Sequence, residues 1–487
     1  MPTYGLSPVH PVTRNEILSF IRWETALARD RALRPHRLTS SQFNQVRYVI
    51  NFARLTRFRP GTAGKATRPE GISRFEIDLT QELTVFRTRV HRVLGEAFSG
   101  GRIRYTQLLN ATWRLWDDML ALRRQIILRH ADEMSENELD AEVCRKTWVS
   151  VAGGGGGAGY VYIGAYKVMH EHGYVPGYIV GSSIGSIMGL FRARDREPDF
   201  DGMMQLAYDM RWDNLFRAIS VKRRYGLPGL LRLFLRAGIS SYFNLPDGRP
   251  MRLPDLGIPY EAVVAGLPKG ALGETMEEFE HHLHPFTRQI PPWQFRAQIA
   301  RQLVKLVAYM NPLLCKELLI GGDELTRDFD AVDAAGFSSA VPGILHYDVT
   351  RDDPVMHGIL AELMRREGLA ALVDGGVANN VACRTAFHRV MDGNIGTRNV
   401  FILGFDCFAP KWTQELYLQG IQRVIQLQVA LNRPYAADIV EFPRTLSPLN
   451  LVPSRAQVDW AVAEGSRIMR KEMDWIRILM EPVEFRA

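Results

Sequence analysis

Five consecutive glycines, Gly153 to Gly157, stand between an apolar lead-in, Trp148–Ala152, and a segment with helical apolar spacing that starts at Val161. A flexible linker would be flanked by polar residues. This run has hydrophobic sequence on both sides, so a strand, a tight glycine turn and a helix are expected in that order. Such a turn leaves backbone N–H groups unpaired at a helix start, where they suit an anion or a developing oxyanion. The run also satisfies GxGxxG through Gly154, Gly156 and Gly159. A dinucleotide site needs an acidic residue at the end of the following strand. Here the next apolar run, Tyr178-Ile179-Val180, ends in Gly181-Ser182-Ser183.

That second junction, Gly181-Ser182-Ser183-Ile184-Gly185, is a GxSxG sequence with an apolar strand before it and an apolar helix after it. In a nucleophile elbow the serine sits on a strained strand-to-helix turn, and the flanking glycines avoid collisions with neighbouring backbone. Only Ser183 is in that register. A serine hydroxyl needs a base, and none of the 12 histidines sits in a convincing late loop. His388 falls in the helical stretch VACRTAFHRVM and reads as a packed or surface helix residue. Asp374, in Ala-Leu-Val-Asp-Gly-Gly-Val, is the better partner, because Gly375 and Gly376 let the chain turn and aim the carboxylate off the strand end. At an ordinary aspartate pKa near 4 it would be a weak base at neutral pH, so the oxyanion donors are expected to carry much of any rate enhancement.

Around these motifs the 487 residues divide by texture. Residues 13–33, 40–58, 78–97 and 103–130 carry helical apolar spacing, with a Pro- and Gly-rich linker at 59–71, and define a helical region 1–145. Strands are expected at 148–152, 178–181, 262–267, 371–373 and 399–403, alternating with helices as in a parallel sheet covered on both faces. Helices at about 413–432 and 456–480 form an extension over 411–487. Trp148–Tyr166 and Gly173–Phe191 are uncharged, but their glycines, Pro176 and serines deny them the roughly 20 apolar residues of a membrane span. No signal peptide is visible, and four cysteines without a CxxC pair argue against a disulfide scaffold or a zinc cluster. The net charge of +7 is concentrated in residues 1–60, where ten arginines face three acidic residues. A helical face with solvated arginines is the plainer reading, and attraction to nucleic acid or an anionic membrane the other.

The glycine run after one strand, GSSIG after the next and DGG much later, with Ala335–Gly343 as a small-residue block before it, together resemble the patatin-like phospholipase family over about 146–410. The resemblance implies a three-layer α/β/α fold with an insertion at about 201–330. It also implies hydrolysis of acyl esters in membrane lipids or glycerides by a Ser183–Asp374 dyad, with no metal or cofactor. The backbone amides of Gly154, Gly155, Gly156 and Gly157 would form the oxyanion hole, and Gly181 and Gly185 the elbow. A cytoplasmic or peripheral membrane location follows, with lipid rather than nucleic acid as partner. The family's glycine motif usually has an arginine or lysine where this chain has Ala158. An inactive lipid-binding scaffold on the same fold is therefore the alternative, and acyl transfer by the same dyad another. Within the insertion, VKRRYGLPGLLRLFLRAGI sets Lys222, Arg223, Arg224, Arg232 and Arg236 among leucines, as an interfacial helix or a helix packed on the core would. Phe295–Met310 has the same ambiguity.

Overall fold

The computed structural model describes residues 10–64, 75–217, 224–271, 315–409 and 419–485. Helices α1 (Pro11–Leu33) and α2 (Ser40–Arg54) come first, then a two-stranded antiparallel ribbon of β1 (Arg57–Phe58) and β2 (Ile77–Asp78). Helices α3 (Thr84–Gly95), α4 (Tyr105–Arg129) and α5 (Glu136–Cys144) follow. Capping boxes start α2, at Thr39 and Gln42, and α5, at Ser135 and Glu138. The buried faces, including Phe52, Val90, Leu115 and Met119, form a core of their own.

This helical region is locked to the rest by buried charge. Glu24 of α1 meets Lys146 at 2.8 Å, Arg47 at 3.0 Å and Arg54 at 3.6 Å. Lys146 also donates to Asn399 at 3.0 Å, just before strand β11. Two of the arginines of residues 1–60, Arg47 and Arg54, are therefore structural rather than solvated, while Arg22, Arg29, Arg34 and Arg37 are exposed.

From Thr147 the chain alternates strand and helix. In order come β3 (Thr147–Ala152), α6 (Val161–Glu171), β4 (Tyr178–Ser182), α7 (Ile184–Arg194), α8 (Phe200–Asp209) and α9 (Trp212–Leu215). Next are β5 (Phe216–Arg217), β6 (Gly229–Leu233), α10 (Leu235–Ile239), β7 (Tyr260–Pro268), β8 (Lys316–Ile320), α11 (Ala331–Ser338), β9 (Gly343–His346) and α12 (Pro354–Glu367). The chain closes with β10 (Leu369–Asp374), α13 (Cys383–Met391), β11 (Val400–Asp406), α14 (Gln419–Asn432), β12 (Asp438–Glu441) and α15 (Arg455–Met480). Strands β3, β4 and β11 are buried at every position, as expected of a sheet covered on both faces. The architecture is a three-layer α/β/α sandwich with a parallel-dominated sheet.

The main sheet runs β10–β7–β4–β3–β11–β12, with β8 also on β7. Strand β7 decides where the site lies. It pairs β4 in parallel through Val263 and β10 antiparallel from Val264 onward, with β8 along its opposite edge. Two strand ends running in opposite directions therefore meet on one edge: Ser182 lies opposite Val263 and Asp374 opposite Val264.

The basic and leucine-rich segment is not a single helix. Gly229–Leu233 is a strand between β5 and β9, followed by the short α10. Leu230, Leu231, Leu233 and Leu235 are buried, and Arg236 pairs with Asp330. Leu230, Leu231, Arg232 and Leu233 are buried in succession, as a strand covered on both faces allows and one apolar helix face would not. Lys222, Arg223 and Phe295–Met310 lie outside the described residues.

Candidate active site

Ser183 follows the last residue of β4 and precedes the first of α7. Its φ of 53° and ψ of −129° make it the one non-glycine residue with positive φ among the described residues. A side chain held in that region costs roughly 1–3 kcal/mol and persists only when its surroundings over-determine it. Here they do. A Cβ on Gly185 would stand 2.2 Å from Ala152 O, and one on Gly181 2.4 Å from Ser186 Cα. The Ser186 hydroxyl donates to Ser183 O at 2.7 Å, tying the first turn of α7 back to the elbow. The Ser183 N–H donates to Ser338 Oγ at 3.0 Å, and the Ser338 hydroxyl donates in turn to Val263 O at 2.6 Å.

Asp374 ends β10, its N–H donating to Ala340 O at 2.9 Å. The small-residue block 335–343 thus holds both motifs, the serine through Ser338 and the aspartate through Ala340. Asp374 Oδ1 accepts from Gly376 N at 2.7 Å, whereas Oδ2 is buried with no partner of good geometry among the described residues. Burial pushes the carboxyl up, the Ser183 hydroxyl and the Gly376 amide pull it down, and the balance lifts it from 3.8 to about 7. The ordinary value expected from sequence does not hold, because the group is cut off from water.

The glycine turn faces this pair. Gly154 N donates to Asn380 Oδ1 at 2.5 Å, and Gly157 N to Pro448 O at 3.0 Å. Gly155 and Gly156 have N–H groups with no acceptor among the described residues, so of the four expected donors these two are free to meet a ligand. Gly156 has a φ of +54°, and a Cβ there would lie 2.2 Å from Pro448 O, so only glycine fits. Ala158 is fully buried. The loop is fixed without a basic residue, by Asn380 and by the chain around Pro448.

Two apolar cavities open at Ser183, of about 810 and 830 Å³ with their mouths included. One follows α7 and the other passes Asp374 beneath α14. His388 lines neither; it sits on α13 against Phe387 and Tyr435, with ring centroids 5.7 Å from each. Sequence reasoning missed Ser338, Asn380 and Pro448. Asn380 carries a faint signal, a polar Asn-Asn pair five residues after DG, and Ser338 lies in the small-residue block 335–343, but nothing local marks Pro448.

Among curated proteins no relative of the chain matches. The family model of the patatin-like phospholipases matches residues 150–387, a span that includes the glycine turn, the serine elbow and the aspartate. Over those residues the chain is similar to a patatin-like phospholipase domain.

Proposed function

We propose that the protein hydrolyses acyl esters of lipids through Ser183 and Asp374. The observation that carries this reading is the meeting, beside two unpartnered N–H groups, of a serine on a strained elbow and a buried carboxylate within reach of its hydroxyl. Ser183 Oγ attacks the ester carbonyl carbon while its proton passes to Asp374. The carbonyl oxygen takes the negative charge and accepts from the Gly155 and Gly156 amides. The carbon–oxygen bond to the alcohol then breaks, Asp374 returns the proton to the leaving oxygen, and an acyl-serine remains. Water, deprotonated by Asp374, attacks the acyl-serine; the fatty acid leaves and Ser183 recovers the proton. With a pKa near 7, Asp374 is far better matched to proton transfer at neutral pH than an exposed aspartate.

The family acts on lipid esters, and the apolar walls around Ser183 agree with such substrates. Binding to an anionic membrane surface would rest on the exposed arginines of α1 and the loop after it; co-sedimentation with neutral and anionic vesicles tests that part. For the chemistry, a fluorophosphonate probe should label the wild type and spare Ser183→Ala. Asp374→Asn should lose ester hydrolysis nearly as completely as Ser183→Ala, and His388→Ala should keep most of it. Unchanged turnover in Ser183→Ala would refute the assignment.

A further inference from the structure

We infer that the preferred substrate is an uncharged ester with a long hydrocarbon chain on each side of the scissile bond, the acyl chain lying along α7 and the alcohol chain beneath α14. This rests on the hydrolase reading above and says which esters it serves.

Both cavities include Gly156, Ser183, Val341, Leu345 and Leu451 in their walls, so they meet at the nucleophile. The first continues past Ile184, Ile187, Met188 and Phe191, two turns of one helix, or about 11 Å at 1.5 Å per residue. It is closed on its far side by Ala207 of α8 and Leu233 of β6. The second runs past Asp374 and Val377 to Ile421 and Ile425 of α14. A substrate with one chain fills one cavity and leaves the other apolar surface wet. A substrate with two chains covers both, and each buried methylene is worth about 0.8 kcal/mol.

Proton transfer decides which chain goes where. Asp374 must reach the leaving oxygen to protonate it, so the alcohol side of the ester lies in the cavity that Asp374 lines. The acyl chain takes the other. Charge decides the class of alcohol. Among the described residues, Asp374 is the one acidic or basic side chain on either wall. A phosphate a few atoms from the ester would enter the second cavity with no cation among the described lining residues to meet it and a carboxylate nearby, which is unfavourable. A glyceride or long-chain alkyl ester has no such group.

Four esters in mixed micelles test the arrangement: ethyl acetate, ethyl decanoate, decyl acetate and decyl decanoate. With separate cavities, the gain in kcat/KM of the doubly long ester over ethyl acetate should equal the product of the two single gains, within about threefold. A single shared channel would give no second gain and would overturn the inference. Ala207→Phe, which narrows the first cavity, should lower the ratio of ethyl decanoate to decyl acetate activity at least tenfold. Ile425→Phe should raise it at least tenfold, and equal effects of the two variants would also overturn the inference. Wild type should cleave a diacylglycerol at least tenfold faster than a phosphatidylcholine of the same chains; parity or the reverse order refutes the uncharged class. Fluorophosphonate labelling and ethyl acetate turnover report the hydrolase itself, so a labelled, active enzyme with one channel fails this inference alone. An unlabelled, inert one fails both.

Discussion

Asn380 grips Gly154 by both of its backbone polar atoms, its Oδ1 accepting from the Gly154 N–H at 2.5 Å and its Nδ2 donating to the Gly154 carbonyl at 3.5 Å. The same residue is held from behind, its own N–H donating to Gln428 Oε1 at 3.1 Å on α14. The turn that presents the free amides is thus positioned by a side chain 226 residues away. Removing one oxyanion donor costs on the order of a hundredfold or more in kcat, and loosening the loop that holds two should cost somewhat less. Asn380→Ala is expected to lower kcat about 10- to 100-fold with little change in KM for a short ester, measured by steady-state kinetics. Asn380→Asp puts a second carboxylate near Asp374 and should move the pH midpoint of activity upward.

Ser338 relays the elbow to β7. Ser338→Ala leaves the Ser183 N–H and one acceptor of Val263 O unsatisfied in a buried site, at a cost of about 1–3 kcal/mol each at most. Its melting temperature should fall by several degrees, and its fluorophosphonate labelling rate should fall further than that of Ser186→Ala in proportion to stability lost. Ser186 holds the carbonyl side of the elbow and leaves the Ser183 amide untouched.

Activity should follow the ionisation of Asp374. The base form is the carboxylate, so kcat/KM is expected to rise with pH through a midpoint near 7 and level off above it. Stability should run the other way. Between the unfolded value of 3.8 and the folded value of about 7, the native state holds a proton that the unfolded chain has lost, so stability falls as pH rises across that window. The full effect is roughly 4 kcal/mol. Asp374→Asn cannot ionise, and its melting temperature should exceed that of wild type more at pH 8 than at pH 4.

Glu24 makes the helical region inseparable from the sheet. Burial pushes its carboxyl up, but Lys146, Arg47 and Arg54 outweigh that and hold it at about 2. Its contribution is therefore present above about pH 4.5 and lost as the pH falls toward 2. Glu24→Gln leaves three buried cations short of their partner and should destabilise by about 3–5 kcal/mol, read by denaturant unfolding at pH 7. Deleting residues 1–60 removes Glu24 while leaving Lys146 in place, and should yield an unfolded or aggregated chain rather than an active core.

The sequence by itself determined the local devices: a glycine turn after one strand, Ser183 on an elbow after the next, and Asp374 ahead of two glycines. Each is written within a few consecutive residues, because φ/ψ limits and Cβ collisions act over that range. It also marked four of the five helices of the first region, missing Glu136–Cys144 and starting the third six residues early, and the strands 148–152, 178–181, 262–267, 371–373 and 399–403 to within a few residues at each end. Tertiary structure decided the rest. Strand β8 was not expected, and Gly229–Leu233 folded as a strand where a helix was expected, because the partner strand that settles it is more than 100 residues away in β9. Asp374 reaches Ser183 only because β7 accepts two opposed strand ends at Val263 and Val264. Its pKa, the clamp from Asn380 and the two cavities depend on what surrounds each group in space, and burial is a property of the packed chain that no window of sequence contains.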